Sequence, residues 1–231
     1  MNERRALGFG LSAVLLWSTV ATAFKLTLAE FTPIQMLCIA SIVSAIALTI
    51  ICGVQGKLGQ LSATFLSNPW YYLLLGLINP LAYYVILFKA YDLLPASQAQ
   101  AINYSWAITL TLMAAVFLGQ KIRAKDWLAC GFSYVGVIVI ATQGNVLGMQ
   151  FESPLGVGLA LLSTLLWAGY WILNTKNKAD PVVGVLLGFL VAIPFAIGLS
   201  LYEGASWQAI SIKGWAAVTY VGLFEMGITF V

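Results

Sequence analysis

Residues Leu7–Trp17 read LGFGLSAVLLW, and residues Leu155–Trp167 read LGVGLALLSTLLW. The two glycines and the closing Leu-Leu-Trp of these segments align when two residues are inserted between them. The next apolar run of each copy opens at a proline, Pro33 in one and Pro181 in the other. This shared order, at an offset of about 148 residues, favours a duplicated half over a chance likeness between apolar helices.

The composition indicates a membrane protein. Hydrophobic residues make up 61% of the 231 residues and charged residues only 8%. A soluble globular domain carries roughly 25% charged residues, so this chain has too few to cover a water-facing surface. We therefore expect the lipid bilayer to be its main partner, and no basic run long enough for nucleic-acid binding is present.

Apolar runs of a length suited to a bilayer recur along the chain. A hydrocarbon core about 30 Å thick needs roughly 20 apolar residues per helix, and the sequence holds seven such runs and part of an eighth. Two prolines, Pro80 and Pro194, lie inside runs and are predicted to kink them. The predicted bounds are Ala6–Ala29, Pro33–Val54, Trp70–Tyr91, Ala96–Leu118, Asp126–Thr142, Pro154–Asn174, Pro181–Tyr202 and Lys213–Val231.

The repeat and the span count together predict an inverted architecture. Five spans separate the start of the first copy from the second, so the second copy enters the membrane from the opposite face. The predicted fold is an all-α integral membrane protein of the five-plus-five, ten-helix inverted-repeat class, with about eight helices in this chain. The predicted domains are residues 1–145, a first repeat of five helices, and 150–231, an incomplete second repeat of about three.

Basic residues predict the orientation of the chain. With a cytoplasmic N-terminus, eight of the eleven Lys and Arg residues fall on the inner side, as the positive-inside rule requires. The inner set is Arg4, Arg5, Lys57, Lys121, Arg123, Lys125, Lys176 and Lys178, and the outer set is Lys25, Lys89 and Lys213.

Several site chemistries are missing from the sequence. It has no histidine, the commonest general base and metal ligand. Its three cysteines, Cys38, Cys52 and Cys130, match no metal-site spacing and are interpreted as packing residues. No cofactor or metal site is predicted.

The segment Phe88–Ile122 reads FKAYDLLPASQAQAINYSWAITLTLMAAVFLGQKI. Together with the repeat, it resembles the EamA-type drug/metabolite transporter superfamily, and within it the YddG-like aromatic amino-acid exporters. Two positions depart from the family pattern: Ala107 stands about where proline is usual, and Gln120 replaces a glutamate. The departure puts a functional role for Gln120 in doubt but leaves the fold expectation in place.

The resemblance implies a function and a location. It implies ten helices with both termini inside, and outward transport of amino acids or related metabolites by alternating access. The expected location is the bacterial inner membrane, as a multi-pass protein, and the expected partner is a small-molecule substrate.

Two polar residues sit deep in predicted spans. Glu225 lies about 18 Å from the start of the eighth span, and its counterpart Asn79 about 14 Å into the third. An ionisable group at this depth costs roughly 3 kcal/mol or more and usually faces a cavity or partner. We expect both residues to border the central cavity, with Glu225 contacting an ammonium group or carrying a proton. An interhelical hydrogen bond that only holds the bundle together is the alternative.

Aromatic and amide residues complete the predicted substrate site. Aromatic rings can stack on an aromatic substrate or hold a cation over the ring face. The tryptophans at repeat-equivalent positions favour a shared central location, although plain packing also accounts for them. These site residues are Trp17, Tyr83, Tyr84, Asn103, Trp106 and Trp167.

Three other functions are alternatives to amino-acid export. A drug or nucleotide-sugar carrier of the same superfamily would have the same fold, and Glu225 would suit a cationic drug. An intramembrane enzyme needs a Ser–His pair, an aspartate pair or a metal site, and the sequence supplies none of them. A channel needs charge rings or a carbonyl filter motif, which are also missing.

Overall fold

The protein is described from a computed structural model covering residues 3–148, 151–204, 206–207 and 210–230. Of residues 3–6, 9–10 and 13 only the backbone is described. Three predictions therefore fall partly outside the described residues: the side chains of Arg4 and Arg5, the domain boundary at residue 150, and the end of the last span at Val231.

The described residues are helical throughout, with turns between helices and no strand among them. Two π-helical segments, Leu77–Ala82 and Val221–Gly227, interrupt the third and the eighth predicted spans, and a 3₁₀ turn, Ile228–Phe230, follows the second segment. The α-helices are α1 (Glu3–Leu28), α2 (Pro33–Val54), α3 (Gln60–Ser67), α4 (Pro69–Gly76), α5 (Tyr83–Leu93), α6 (Ala96–Tyr104), α7 (Trp106–Leu118), α8 (Ala124–Ala141), α9 (Pro154–Asn174), α10 (Pro181–Tyr202) and α11 (Ile212–Tyr220).

Six helical stretches within the described residues are long and apolar enough to cross a bilayer. They match the second to seventh predicted spans within three residues at each end. The predicted first span is the 26-residue helix α1, whose described apolar part is Val14–Leu28. Two features were not predicted: the short helix α3, and a break at Ser105 that divides the fourth span into α6 and α7.

Local signals account for several of the observed helix starts. At α2, Thr32 Oγ1 accepts a hydrogen bond from Gln35 N while Gln35 Oε1 accepts one from Thr32 N, which forms a capping box. At α10, the Asp180 side chain accepts from Val182 N. A proline follows each cap at the first helical position, where its missing N–H costs no hydrogen bond.

The chain divides into two compact units. Unit 1 holds the described residues up to Gly76 and from Ala179 onwards, and unit 2 is Leu77–Lys178. In unit 1, α2 packs along α10 and the last π segment, while α1 packs along α11. In unit 2, α9 is the central helix and packs against α5, α6 and α7.

Helices α2 and α10 of unit 1 run antiparallel, because the start of each meets the end of the other. Lys57 Nζ, just after α2, donates to Asp180 Oδ2 at the cap of α10 over 2.6 Å. At the other end, Gln35 Nε2 donates to Ser206 O over 2.7 Å. The hydrogen bond from Lys57 is the main reason that the pKa of Asp180 lies below its usual value.

Two glycines in unit 1 bring helices unusually close. A Cβ placed on Gly76 would lie 2.8 Å from Val191 Cβ and 2.9 Å from Gly188 O. A Cβ placed on Gly222 would lie 2.7 Å from both Ala40 O and Val43 Cβ. The partner pairs are Ala40 with Gly188 and Val43 with Val191, each separated by the 148-residue offset of the sequence repeat. The two glycines therefore contact positions that correspond to each other in the predicted repeat.

Candidate functional site

Aromatic side chains gather around Trp167 on α9 in unit 2. The ring centroids of Trp167 and Tyr83 are 4.7 Å apart, and those of Trp167 and Trp106 are 6.3 Å apart. Tyr84 stands edge-on to Tyr83 with centroids 4.7 Å apart. Trp167 is 5% exposed and both tyrosines are buried, so most of the aromatic surface is turned inward. The Trp167 cluster consists of Tyr83, Tyr84, Trp106, Trp167, Tyr170 and Trp171.

Three helices, α5, α7 and α9, supply the side chains of the cluster. Tyr83 and Tyr84 lie in the first turn of α5, directly after the π segment. Tyr170 and Trp171 follow Trp167 by three and four residues on α9, which places them on neighbouring parts of one helical face. Trp106 opens α7 and approaches Trp167 edge-on.

A buried amide lies next to the cluster. Asn103 on α6 is 4% exposed, and its Nδ2 donates to Tyr83 OH over 3.3 Å and to Ser163 Oγ over 2.9 Å. At the next residue of α9, Thr164 Oγ1 shares a hydrogen bond of 3.0 Å with Thr109 Oγ1 on α7. Polar contacts therefore join α5, α6, α7 and α9 beside the aromatic rings.

The backbone around Asn79 leaves the helical conformation. Asn79 has φ −140° and ψ 119° inside the π segment Leu77–Ala82. Pro80 follows it and has no N–H to donate to Gly76 O, the carbonyl four residues earlier. Asn79 Oδ1 is buried, and no hydrogen-bond partner for it lies in the described part of the chain. The predicted kink at Pro80 is confirmed, whereas Pro194 lies within the unbroken helix α10.

The remaining two predicted site residues lie in unit 1. Glu225 belongs to the π segment Val221–Gly227, which packs along α2, and is 9% exposed. Trp17 is half-buried on α1. The structure therefore brings Tyr83, Tyr84, Asn103, Trp106 and Trp167 together in unit 2, while Trp17 and Glu225 belong to the other unit.

An open groove of about 720 Å³ lies along α1 and α11 in unit 1. On its wall, Thr19 Oγ1 and Tyr220 OH are 2.6 Å apart. At its end, Glu30 accepts hydrogen bonds from Ser211 N and Ser211 Oγ, and these bonds hold the pKa of Glu30 below its usual value. Glu30 thereby ties the end of α1 to the start of α11.

Sequence reasoning missed two neighbours of the predicted residues. Ser163 lies one helical turn before Trp167, so the helical period could have flagged it as sharing a face with that tryptophan. Tyr170 could have been found in the same way. Many apolar residues of the chain have the same spacing, so the spacing alone does not single out Ser163 or Tyr170.

Comparison with known proteins identifies the chain's relatives. The EamA-like transporter family matches residues 4–142. The chain is 26% identical to the aromatic amino acid exporter YddG of Ancylobacter novellus over its whole length, covering 78% of that protein. It is 23% identical to the uncharacterized transporter YyaM of Bacillus subtilis, over 78% of this chain and 60% of that one.

A crystal structure shares the fold. It superposes with a TM-score of 0.71 at 21% sequence identity, covering 96% of this chain and 75% of the other. At this identity the likeness concerns the fold alone. The family match covers more than half of the sequence, and the resemblance found in the Phe88–Ile122 segment lies within it. This chain therefore belongs to the EamA-like transporter family.

Proposed function

We propose that this protein exports amino acids, including aromatic ones, by alternating access between two inverted repeats. The observation that carries the proposal is the Trp167 cluster with the buried amide of Asn103 beside it. Such a cluster can offer ring faces to an aromatic or cationic group and hydrogen-bonding atoms to a polar one. The name of the relative from Ancylobacter novellus, an aromatic amino acid exporter, supports the same substrate class.

The equivalent glycine contacts support the inverted repeat. If the two halves arose by duplication and insert in opposite senses, each contact in one half has a counterpart in the other. Gly76 against Gly188 and Val191, and Gly222 against Ala40 and Val43, form such a pair. The antiparallel packing of the repeat-equivalent helices α2 and α10 agrees with opposite insertion.

The two interrupted spans carry polar residues that the sequence predicts at similar depth. Irregular backbone within a membrane is tolerated where it faces protein or a water-filled cavity, and transporters often bind substrates at such breaks. In this proposal Asn79 contributes an amide from the third span. Glu225 contributes the carboxylate that binds a substrate ammonium group or carries a proton. The proposed cytoplasmic N-terminus follows from the Lys and Arg distribution, and the proposed location in the bacterial inner membrane follows from the family.

Efflux from proteoliposomes tests the proposal. Vesicles are loaded with phenylalanine, tryptophan, alanine, a nucleotide sugar or a cationic dye, and release is measured with and without a pH gradient. Trp167→Ala should lower aromatic amino-acid efflux about tenfold, equivalent to about 1.4 kcal/mol of lost interaction. Trp127→Ala is the matched control, since Trp127 lies in the same unit and is 57% exposed.

The main alternative is a drug or nucleotide-sugar carrier, and the buried carboxylate of Glu225 favours the cationic-drug form of it. Release of the dye or the nucleotide sugar without release of any amino acid would show that the substrate is a drug or a nucleotide sugar and not an amino acid. Equal efflux by the Trp167 and Trp127 variants would show that the Trp167 cluster does not bind the substrate.

A further inference from the structure

The Ser163 hydroxyl on α9 takes part in two hydrogen bonds, as the donor in one and the acceptor in the other. Its Oγ donates to Ala160 O of its own helix over 2.6 Å. A serine hydroxyl has a single proton, so its remaining interactions are those of an acceptor. As long as it keeps this bond, Ser163 accepts from Asn103, whose nitrogen is 2.9 Å away.

This arrangement determines which way the Asn103 amide faces. The nitrogen must point at Ser163, and its second proton reaches Tyr83 OH at 3.3 Å. A flipped amide would either place two acceptors against each other or require Ser163 to give up its 2.6 Å bond to Ala160 O. Because Asn103 is 4% exposed, a wrongly placed amide would be costly in this environment. Asn103 therefore offers its carbonyl oxygen, an acceptor, for any further hydrogen bond.

The neighbouring rings indicate which donor suits this oxygen. Tyr83 accepts from Asn103 and lies against Trp167, so the amide and the ring faces belong to one environment. Aromatic faces attract cations, and a carbonyl oxygen accepts from N–H groups. A primary ammonium group satisfies both requirements at once.

We propose that Ser163 is a positioning residue that orients the Asn103 amide so that its carbonyl oxygen accepts a hydrogen bond from a substrate ammonium group. This inference rests on the proposed function and adds to it the group that recognises the amine. It assigns Ser163 a role in ligand selection rather than in substrate contact.

Binding measurements with two ligands test the role of Ser163. The ligands are L-phenylalanine and its N,N,N-trimethyl derivative, which keeps the ring and the positive charge but has no N–H. Dissociation constants are measured by calorimetry on the purified protein in nanodiscs. Ser163→Ala should weaken L-phenylalanine binding about fivefold, the size expected for one hydrogen bond, and leave the trimethyl derivative unchanged. Asn103→Ala should show the same selectivity, and Ser163→Thr, which keeps the hydroxyl, should bind both ligands as the wild type does.

Thr164→Val is the matched control. Thr164 is the next residue on α9, and its hydroxyl bonds Thr109 instead of Asn103. This variant should bind both ligands as the wild type does. A Ser163→Ala variant that weakens both ligands equally, or neither, would overturn the inference while leaving the export proposal standing. Amino-acid efflux, measured separately in vesicles, decides the export proposal itself.

Discussion

The third and the last spans are interrupted at matching places by different chemistry. In the third span the π segment Leu77–Ala82 contains Pro80, which removes a backbone donor from the helix. In the last span the segment Val221–Gly227 has no proline, yet it also departs from the α-helical pattern. Each interruption begins within a residue of a tightly packed glycine, Gly76 or Gly222.

The carbonyl oxygens of the two glycines show the difference most clearly. Gly76 O loses its usual donor because residue 80 is proline. Gly222 O instead lies 2.7 Å from Ser44 Oγ on α2, and the single hydroxyl proton of Ser44 is shared between Gly222 O and Ala40 O, which is 2.8 Å away. The position equivalent to Ser44 in the other copy is Ala192, which has no hydroxyl. The two interruptions therefore lie at corresponding positions of the predicted repeat, while the residues around them differ.

Substituting alanine for either glycine should give the largest loss of stability. Gly76→Ala and Gly222→Ala should each lower the free energy of unfolding by about 1–3 kcal/mol, because the new methyl group meets backbone and β-carbon atoms under 3 Å away. Thermal unfolding in detergent or nanodiscs measures the change. Gly198→Ala is the control, since a Cβ there meets nothing within 4 Å. If all three variants unfold at similar temperatures, the close helix contacts are not structural constraints.

The polar residues of the two interruptions should differ in their effect on transport. Glu225→Gln should reduce efflux about tenfold and flatten its pH dependence, because the substituted amide neither carries a proton nor pairs with an ammonium group. Asn79→Ala should reduce efflux less and leave the pH dependence intact. Glu203→Gln, at an exposed acid of the same unit as Glu225, serves as the control. A Glu225→Gln variant with wild-type rate and pH profile would assign Glu225 to helix packing alone.

Removing the hydroxyl of Ser44 tests whether its hydrogen bond stabilises the interruption at Gly222. Ser44→Ala should destabilise the protein by about 1 kcal/mol, since the buried Gly222 carbonyl loses a donor from another helix. Ser12→Ala should have little effect, because Ser12 is exposed and its hydroxyl bonds Gly8 O of its own helix. Equal unfolding temperatures for these two variants would show that the π segment is stabilised without Ser44.

The helix caps of the two copies give the smallest predicted effect. Asp180 at α10 pairs with Lys57, whereas Thr32 at the equivalent position of α2 is uncharged. Lys57→Met should cost less than about 1 kcal/mol at neutral pH, as expected for a partly exposed ion pair. Because folding lowers the pKa of Asp180, this stabilisation is complete above the ordinary value of 3.8 and disappears as the pH falls through the lower folded-state pKa.

A pH series of thermal unfolding measures the contribution of this ion pair. The difference between wild type and Lys57→Met should stay constant near neutral pH and shrink in acid. Asp180→Asn should behave like Lys57→Met, since asparagine also caps helices well. Lys176→Met, at an exposed lysine, should match the wild type throughout. A difference that grows in acid would contradict the assigned direction of the pKa shift.

Helix bounds were the most predictable part of the fold. The spans that open at Pro33, Pro154 and Pro181 begin and end at the predicted residues, because a cap, a proline and an apolar run of suitable length are all local signals. The break at Ser105 and the short helix α3 were missed. Neither is marked by a strong local signal, since Ser105 carries helical backbone angles and α3 lies in a polar connection.

The sequence predicted which residues belong to the candidate site better than it predicted which of them lie together. Deep polar and aromatic residues pointed to Asn103, Tyr83 and Trp167, and the structure places these three together in unit 2. Ser163 was overlooked because a serine among apolar residues has no distinctive pattern. The positions that sequence reasoning added from the repeat, Trp17 and Glu225, belong to unit 1, and a shared site with Asn79 remains a prediction.

Membrane embedding, helix bounds and the deep polar residues could all be read along the chain, because each depends on hydropathy, capping and proline chemistry within a few residues. The partners across the helices depended on packing. Asn103 and Ser163 are 60 residues apart, and Gly222 meets Val43 from the far end of the sequence. Helical periodicity tells which side chains share a face, but the neighbour of that face is chosen by how whole helices pack together.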